Sequence, residues 1–166
     1  MHRISSKAIL VVASCALALS TEAVAHGAVD HDRGARRAVH AEQTPFGIAG
    51  DRSKVSRTID MDAHDTFRYS PDHVTVKRGE TIRFVMHNKG QILHKMVIGT
   101  TQDLRKHAEL MKKFPEMEHE APNMLHVAPG KSGEIVWRFN RAGTFSFACL
   151  IAGHFEAGMV GTVIVT

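Results

Sequence analysis

The chain has 166 residues, enough for one domain and too few for two. Its apolar share of 43% and charged share of 23% are ordinary for a soluble globular protein. The net charge of +4 is mild and spread out, with no lysine–arginine stripe carrying interleaved aromatics, so nothing argues for a nucleic-acid partner.

The first 25 residues read as a signal peptide. Arg3 and Lys7 give a positive start, and residues 8–19 form an apolar run too short to span a bilayer as a helix. Ala23-Val24-Ala25 is a small-x-small cleavage site, which makes His26 the expected mature start. Export to the periplasm follows, and with it an oxidising compartment. Val12-Ala-Ser-Cys15 loosely fits a lipobox, but the apolar run continues past Cys15, which argues against a lipid anchor. Residues 26–55 read as a flexible tail, rich in Ala, Gly, Arg and Asp and poor in large apolar side chains. His26, His31 and His40 fall in it. They are solvated linker histidines on the plainer reading. On the other they capture copper loosely, and a free N-terminal His26 chelates Cu(II) through amine and ring.

From residue 56 to 166 the pattern is that of one all-β domain. Val74 and Val76 mark a short strand, and Arg78-Gly79-Glu80 a turn. Ile82, Phe84 and Met86 share a face, as do His94, Met96 and Ile98, with Lys95 and Val97 opposite. Ala128-Pro129-Gly130 turns, Ile135, Trp137 and Phe139 alternate, and Arg141-Ala-Gly143 turns again. Phe145, Phe147 and Cys149 share one parity, and residues 160–165 close the domain. Period-2 runs between Gly and Pro turns predict a sandwich. One stretch breaks the rhythm. Leu104, His107, Ala108 and Met111 recur at helical spacing, so residues 103–113 are predicted as an inserted helix, with Thr101 as N-cap, Pro115 as terminator and an irregular loop to about Leu125.

The segment Cys149-Leu-Ile-Ala-Gly-His154-Phe-Glu-Ala-Gly-Met159 carries the chemistry. A trigonal copper site takes one thiolate and two imidazoles, with a weak axial thioether. This loop supplies the thiolate, one imidazole and the thioether. Strand parity supplies the second imidazole, because His94 extends the inward face of Met96 and Ile98 as Cys149 extends that of Phe145 and Phe147. Signal removal leaves Cys149 without an intramolecular disulfide partner. A lone thiol in an oxidising compartment is a liability unless buried or ligated. Singly, each of these residues is more often a core side chain; jointly, the spacing and parity favour copper.

With the upstream Asn88-Lys-Gly90-Gln-Ile-Leu-His94, the sequence resembles a cupredoxin of the plastocyanin/azurin type over residues 57–166. The resemblance implies a Greek-key sandwich binding one type 1 copper through His94, Cys149, His154 and Met159. The four-residue gaps on both sides of His154 are similar to the rusticyanin and auracyanin loops. His94-Lys-Met-Val-Ile-Gly99, the helical insertion and Met117-Glu-His119-Glu-Ala-Pro-Asn123 most resemble the small periplasmic cupredoxins tied to bacterial copper tolerance. That likeness implies copper handling through binding and one-electron Cu(I)/Cu(II) redox. In one departure, Ala152 stands where relatives usually carry Pro before the Gly-His. The alanine restores a backbone N–H, which would stabilise the Cys149 thiolate if it pointed at the sulfur.

Twelve histidines and eight methionines are many for this length. Met111, Met117, His119, Met124 and His126 cluster between the helix and the Pro129 turn; Met117, His119, Met124 and His126 form two Met-x-His pairs whose thioethers and imidazoles suit Cu(I). The plainer alternative packs Met111 under the helix and turns the histidines to water; it is slightly favoured. For the whole chain, copper tolerance competes with a dedicated electron carrier between periplasmic redox proteins, docked through an apolar rim of Leu150, Ile151, Ala152 and Phe155. Either role needs a transient protein partner, for redox or for copper delivery. An enzyme is disfavoured, because the chain lacks the His-x-His pairs that would build a further catalytic copper centre.

Overall fold

The computed structural model describes residues 42–117 and 119–166. The expected signal peptide, Cys15, and His26, His31 and His40 lie outside them. The described chain forms ten strands and one α-helix: β1 (Ile48–Ala49), β2 (Arg57–His64), β3 (Arg68–Ser70), β4 (His73–Val76), β5 (Thr81–Asn88), β6 (His94–Gly99), α1 (Thr101–Lys113), β7 (Met124–Val127), β8 (Ser132–Arg138), β9 (Gly143–Ala148) and β10 (Val160–Val165). One sheet runs β1-β8-β5-β2-β3 and the other β4-β10-β9-β6-β7. Most neighbours are antiparallel, but β2 pairs parallel to β5, and β4 parallel to β10. The crossing between sheets is that of a Greek-key sandwich.

Alternation sorts the side chains as the sequence predicts. Ile82, Phe84 and Met86 of β5, Met96 and Ile98 of β6, Ile135 and Trp137 of β8, and Phe145 and Phe147 of β9 meet in the core between the sheets. A second cluster lies on the outer face of β6 and β9, where Val97, Ala148 and Leu150 pack under Leu104, Ala108 and Met111 of α1. With apolar cover on both faces, all six residues of β6 are buried, Lys95 included. The helix begins two residues earlier than predicted, and its cap lies one residue earlier. Thr100 is the N-cap, its hydroxyl accepting from Asp103 N at 3.1 Å. The loop after the helix gives way to β7 at Met124, where Val97 of β6 supplies a partner.

The tail boundary needs correction. Residues 44–50, expected as tail, join the sandwich through β1 and the Gly50 N to Val136 O bond. Phe46 is 7% exposed and stacks on Trp137 with ring centroids 5.2 Å apart. Trp137 Nε1 donates to Phe46 O at 3.1 Å, and β1 pairs with Trp137 and Arg138. Gly47 makes the approach feasible. Its φ of 134° suits glycine alone, and a Cβ there would collide with the Arg138 carbonyl. One aromatic anchor outweighs the polar composition around it, since burying a phenylalanine side chain contributes about 1.5–3 kcal/mol.

Candidate metal centre

The four residues predicted as copper ligands come together at one end of the sandwich. His94 opens β6, Cys149 follows β9, and Met159 precedes β10; all three have 0% exposure, while His154 has 8%. Among the described residues, only His94, Cys149 and His154 bring three donor atoms of His, Cys, Asp or Glu within 4.8 Å of one another. Cys149 Sγ lies 3.3 Å from His154 Nδ1, and the His94 and His154 rings lie 5.3 Å apart.

The loop from Cys149 to Met159 is built by backbone hydrogen bonds. Cys149 N donates to Met159 O, Met159 N to His154 O, and His154 N to Ile151 O, each at 3.0 Å. The first bond sets Met159 beside Cys149 as the loop closes. Side contacts hold the loop from both flanks. Arg68 Nη1 donates to Ala157 O at 2.8 Å, and Lys112 of α1 pairs with Glu156 at 2.7 Å.

His94 shows what the site is built to accept. Its Nδ1 is buried without a hydrogen-bond partner, while its Nε2 lies 3.0 Å from Asp65 Oδ1. An orphaned buried nitrogen is costly in a folded protein unless it serves a ligand. The donor set, one thiolate and two imidazoles beside a buried methionine, has the composition of a type 1 copper site. Electrostatics agree. Burial pushes the Cys149 thiol up, while the Lys95 and Ile151 backbone amides oppose that shift by donating to the sulfur; Lys95 N lies 3.3 Å from it. Burial, then repulsion from His94, lowers His154 and keeps its imidazole in the neutral form that binds metal.

Sequence reasoning singled out the Asn88–Gly90 turn but not how it works, and it missed the rest of the surroundings of this site. Asn88 donates through Nδ2 to Ile92 O at 2.7 Å and Val127 O at 2.8 Å, and accepts from Gly90 N at 2.8 Å. It pins the loop that delivers His94. Asp65 and Phe67, in the turn between β2 and β3, meet His94 and His154 respectively; the Phe67 and His154 ring centroids lie 4.6 Å apart. Phe67 has a φ of 60°, a left-handed conformation that costs a non-glycine residue about 1–3 kcal/mol. The period-2 pattern carries no signal for a turn reaching across to another sheet. The docking rim also differs from its prediction. Leu150 is buried under α1 and Phe155 packs beside it. Ile92 and Leu93, 41% and 40% exposed, take their place around His154 together with Ile151, Ala152 and Pro115.

The second predicted cluster is assembled differently from its sequence description. His119, Met124 and His126 line a small cavity between α1, β7 and β6. Met117 does not line it and is 40% exposed. His107 and Met111 of α1 complete the lining, one helical turn apart on the face toward β7. The His107 and His119 rings lie 4.9 Å apart. Burial, then His119 and Lys95, lowers His107.

Residues 54–166 match the family model of copper-binding proteins of the plastocyanin/azurin family. The chain is 48% identical to the copper-resistant cuproprotein CopI of Rubrivivax gelatinosus, over 99% of this chain and 98% of that one. It is 33% identical to the protein of that name from Pseudomonas aeruginosa, over 72% of this chain and 82% of that one. Among solved structures, the dithionite-reduced auracyanin of Roseiflexus castenholzii superposes with a TM-score of 0.59 at 25% identity, over 68% of this chain and 98% of that one. Auracyanin B gives the same TM-score at 19% identity, over 76% of this chain and 98% of that one, a likeness of fold.

Proposed function

Because the chain belongs to the plastocyanin/azurin family of copper-binding proteins, we propose that it is a periplasmic copper-tolerance cupredoxin whose type 1 site is held by His94, Cys149, His154 and Met159. The observation that carries the ligand assignment is the convergence of three buried donors around the unpartnered Nδ1 of His94. Copper bound there supplies a one-electron Cu(I)/Cu(II) couple. The protein residues supply rigidity. His94 and Cys149 stand at the ends of strands, and the closed loop holds His154 and Met159, so the ligands change place little between oxidation states. The copper-resistance names of the relatives support tolerance as the physiological role.

The His107, Met111, His119, Met124 and His126 pocket supports the same reading. Thioether and imidazole donors suit Cu(I), and the pocket lies on the outer face of the strand that begins with His94. Compared with the sequence-based cluster, this lining adds His107 and leaves out Met117. This pocket would take up Cu(I) while the buried site exchanges one electron with an exported redox partner.

A dedicated electron carrier is the second reading. Ile92, Leu93, Ile151 and Ala152 give the His154 end an apolar face suited to brief docking. A deletion strain separates the two. Copper sensitivity with normal respiration supports tolerance, and a respiratory defect without copper sensitivity supports the carrier. The centre itself is tested by absorption of the Cu(II) protein. Intense visible thiolate-to-copper bands are expected, and their persistence in Cys149→Ser would refute the ligand assignment.

A further inference from the structure

The turn between β2 and β3 and the first residue of β3 contribute no ligand, yet they meet His94, His154 and the loop between His154 and Met159. Asp65 Oδ1 lies 3.0 Å from His94 Nε2, and Oδ2 accepts from Gln91 N at 2.7 Å. Phe67 packs on His154, and Arg68 holds the Ala157 carbonyl. Gly90 closes over the carboxylate so tightly that a Cβ there would collide with Asp65 Oδ1. The carboxylate is thus fixed from two sides, by the Gln91 amide and by the packed Gly90 backbone, while its side chain keeps 39% exposure.

The geometry decides the state of His94. A carboxylate is acceptor only, so Nε2 must carry the hydrogen in that 3.0 Å contact. Nδ1 is then the lone-pair nitrogen, and it is the one left without a partner. A carboxylate on the outer nitrogen of a ligating imidazole also makes the ring more electron-donating.

We propose that Asp65 is a positioning residue that sets both the tautomer of His94 and the balance between Cu(II) and Cu(I) at the site. Its negative charge favours Cu(II), the more highly charged ion. The proposal rests on His94 being a copper ligand, and it goes further by assigning the origin of the site's redox bias.

The test compares wild type, Asp65→Asn and Asp65→Ala by two readouts. The first is the reduction potential of the copper-loaded protein. Asp65→Asn is close in shape and neutral, and is expected to shift the Cu(I)/Cu(II) affinity ratio toward Cu(I) by about tenfold, or about 59 mV for a one-electron couple. The second is proton NMR of the copper-free protein. A protected His94 Nε2–H resonance is expected in wild type and its loss in Asp65→Ala. An unchanged potential in Asp65→Asn, or a protected Nε2–H surviving in Asp65→Ala, overturns the proposal. Should Asp65→Ala fail to fold, the Asp65→Asn potential decides. A wild-type protein without Cys149-dependent visible bands would instead refute the copper site itself, so the two failures are told apart.

Discussion

The two faces of β6 present two different kinds of metal-compatible pocket. On the inner face, His94, Cys149 and His154 are buried and their donors converge within 4.8 Å. On the outer face, His107, Met111, His119, Met124 and His126 surround a cavity without such convergence, and His119 and His126 are exposed. The inner set is fixed by strands and a backbone-bonded loop. Of the outer set, Met111 is locked into α1 packing, whereas His119 sits in an irregular connection. Rigid ligands suit an ion that changes oxidation state in place. A set that includes an exposed imidazole on an irregular connection suits an ion that arrives and leaves.

The largest test of this contrast is Cys149→Ser, which should abolish every intense visible band of the Cu(II) protein while leaving Cu(I) uptake at the outer pocket measurable by a chromogenic chelator. Next comes Met111. Met111→Ala should cost about 2–5 kcal/mol in denaturant unfolding, because a buried side chain leaves a cavity. Met111→Leu should cost less than about 1.5 kcal/mol and still weaken Cu(I) binding, which isolates the thioether from the packing. Asn88→Ala should cost about 1–3 kcal/mol by leaving the buried Val127 carbonyl without its side-chain donor, and should broaden the copper absorption bands by loosening the loop before His94. Smaller still, His119→Ala should lower Cu(I) stoichiometry by one equivalent while Met117→Leu leaves it unchanged; a loss in both variants would restore the sequence-based ligand set.

The smallest effect is one of pH. His107 and His154 are both lowered from the ordinary value of 6.5, chiefly by burial. As pH falls through that value, the unfolded chain takes up protons that the folded chain resists, so stability of the copper-free protein should decline toward the lowered folded values. Thermal unfolding at about pH 7.5 and about pH 5.5 measures it, and His107→Gln should reduce the dependence.

Local signals made the inner site legible. Cys149, His154 and Met159 lie within one short loop, and His94 could be placed by parity alone, since a strand repeats every second residue. The core followed for the same reason. What sequence could not show was which distant turn would meet these residues. Asp65 reaches His94 across the end of the sandwich, and Phe46 reaches Trp137 across an edge, and neither contact leaves a periodic trace. The outer pocket was half legible. Met-x-His spacing picks out His119, Met124 and His126, and Met111 stands in the same sequence cluster with packing as its competing role, but helical periodicity gives His107 no further role. Met111 does pack, and it also lines the cavity.

The parallel pairing of β10 with β4 has a consequence for the order of assembly. Val165 must find Val76 across most of the sandwich, and the ligand loop leads directly into β10. Sandwiches dominated by such distant pairings fold in milliseconds to seconds. Until that strand docks, Cys149 cannot be sheltered by Met159, and its thiol stays open to solvent. Metal capture at the four-residue set is therefore a late event in folding, because the set is complete only once β10 is seated.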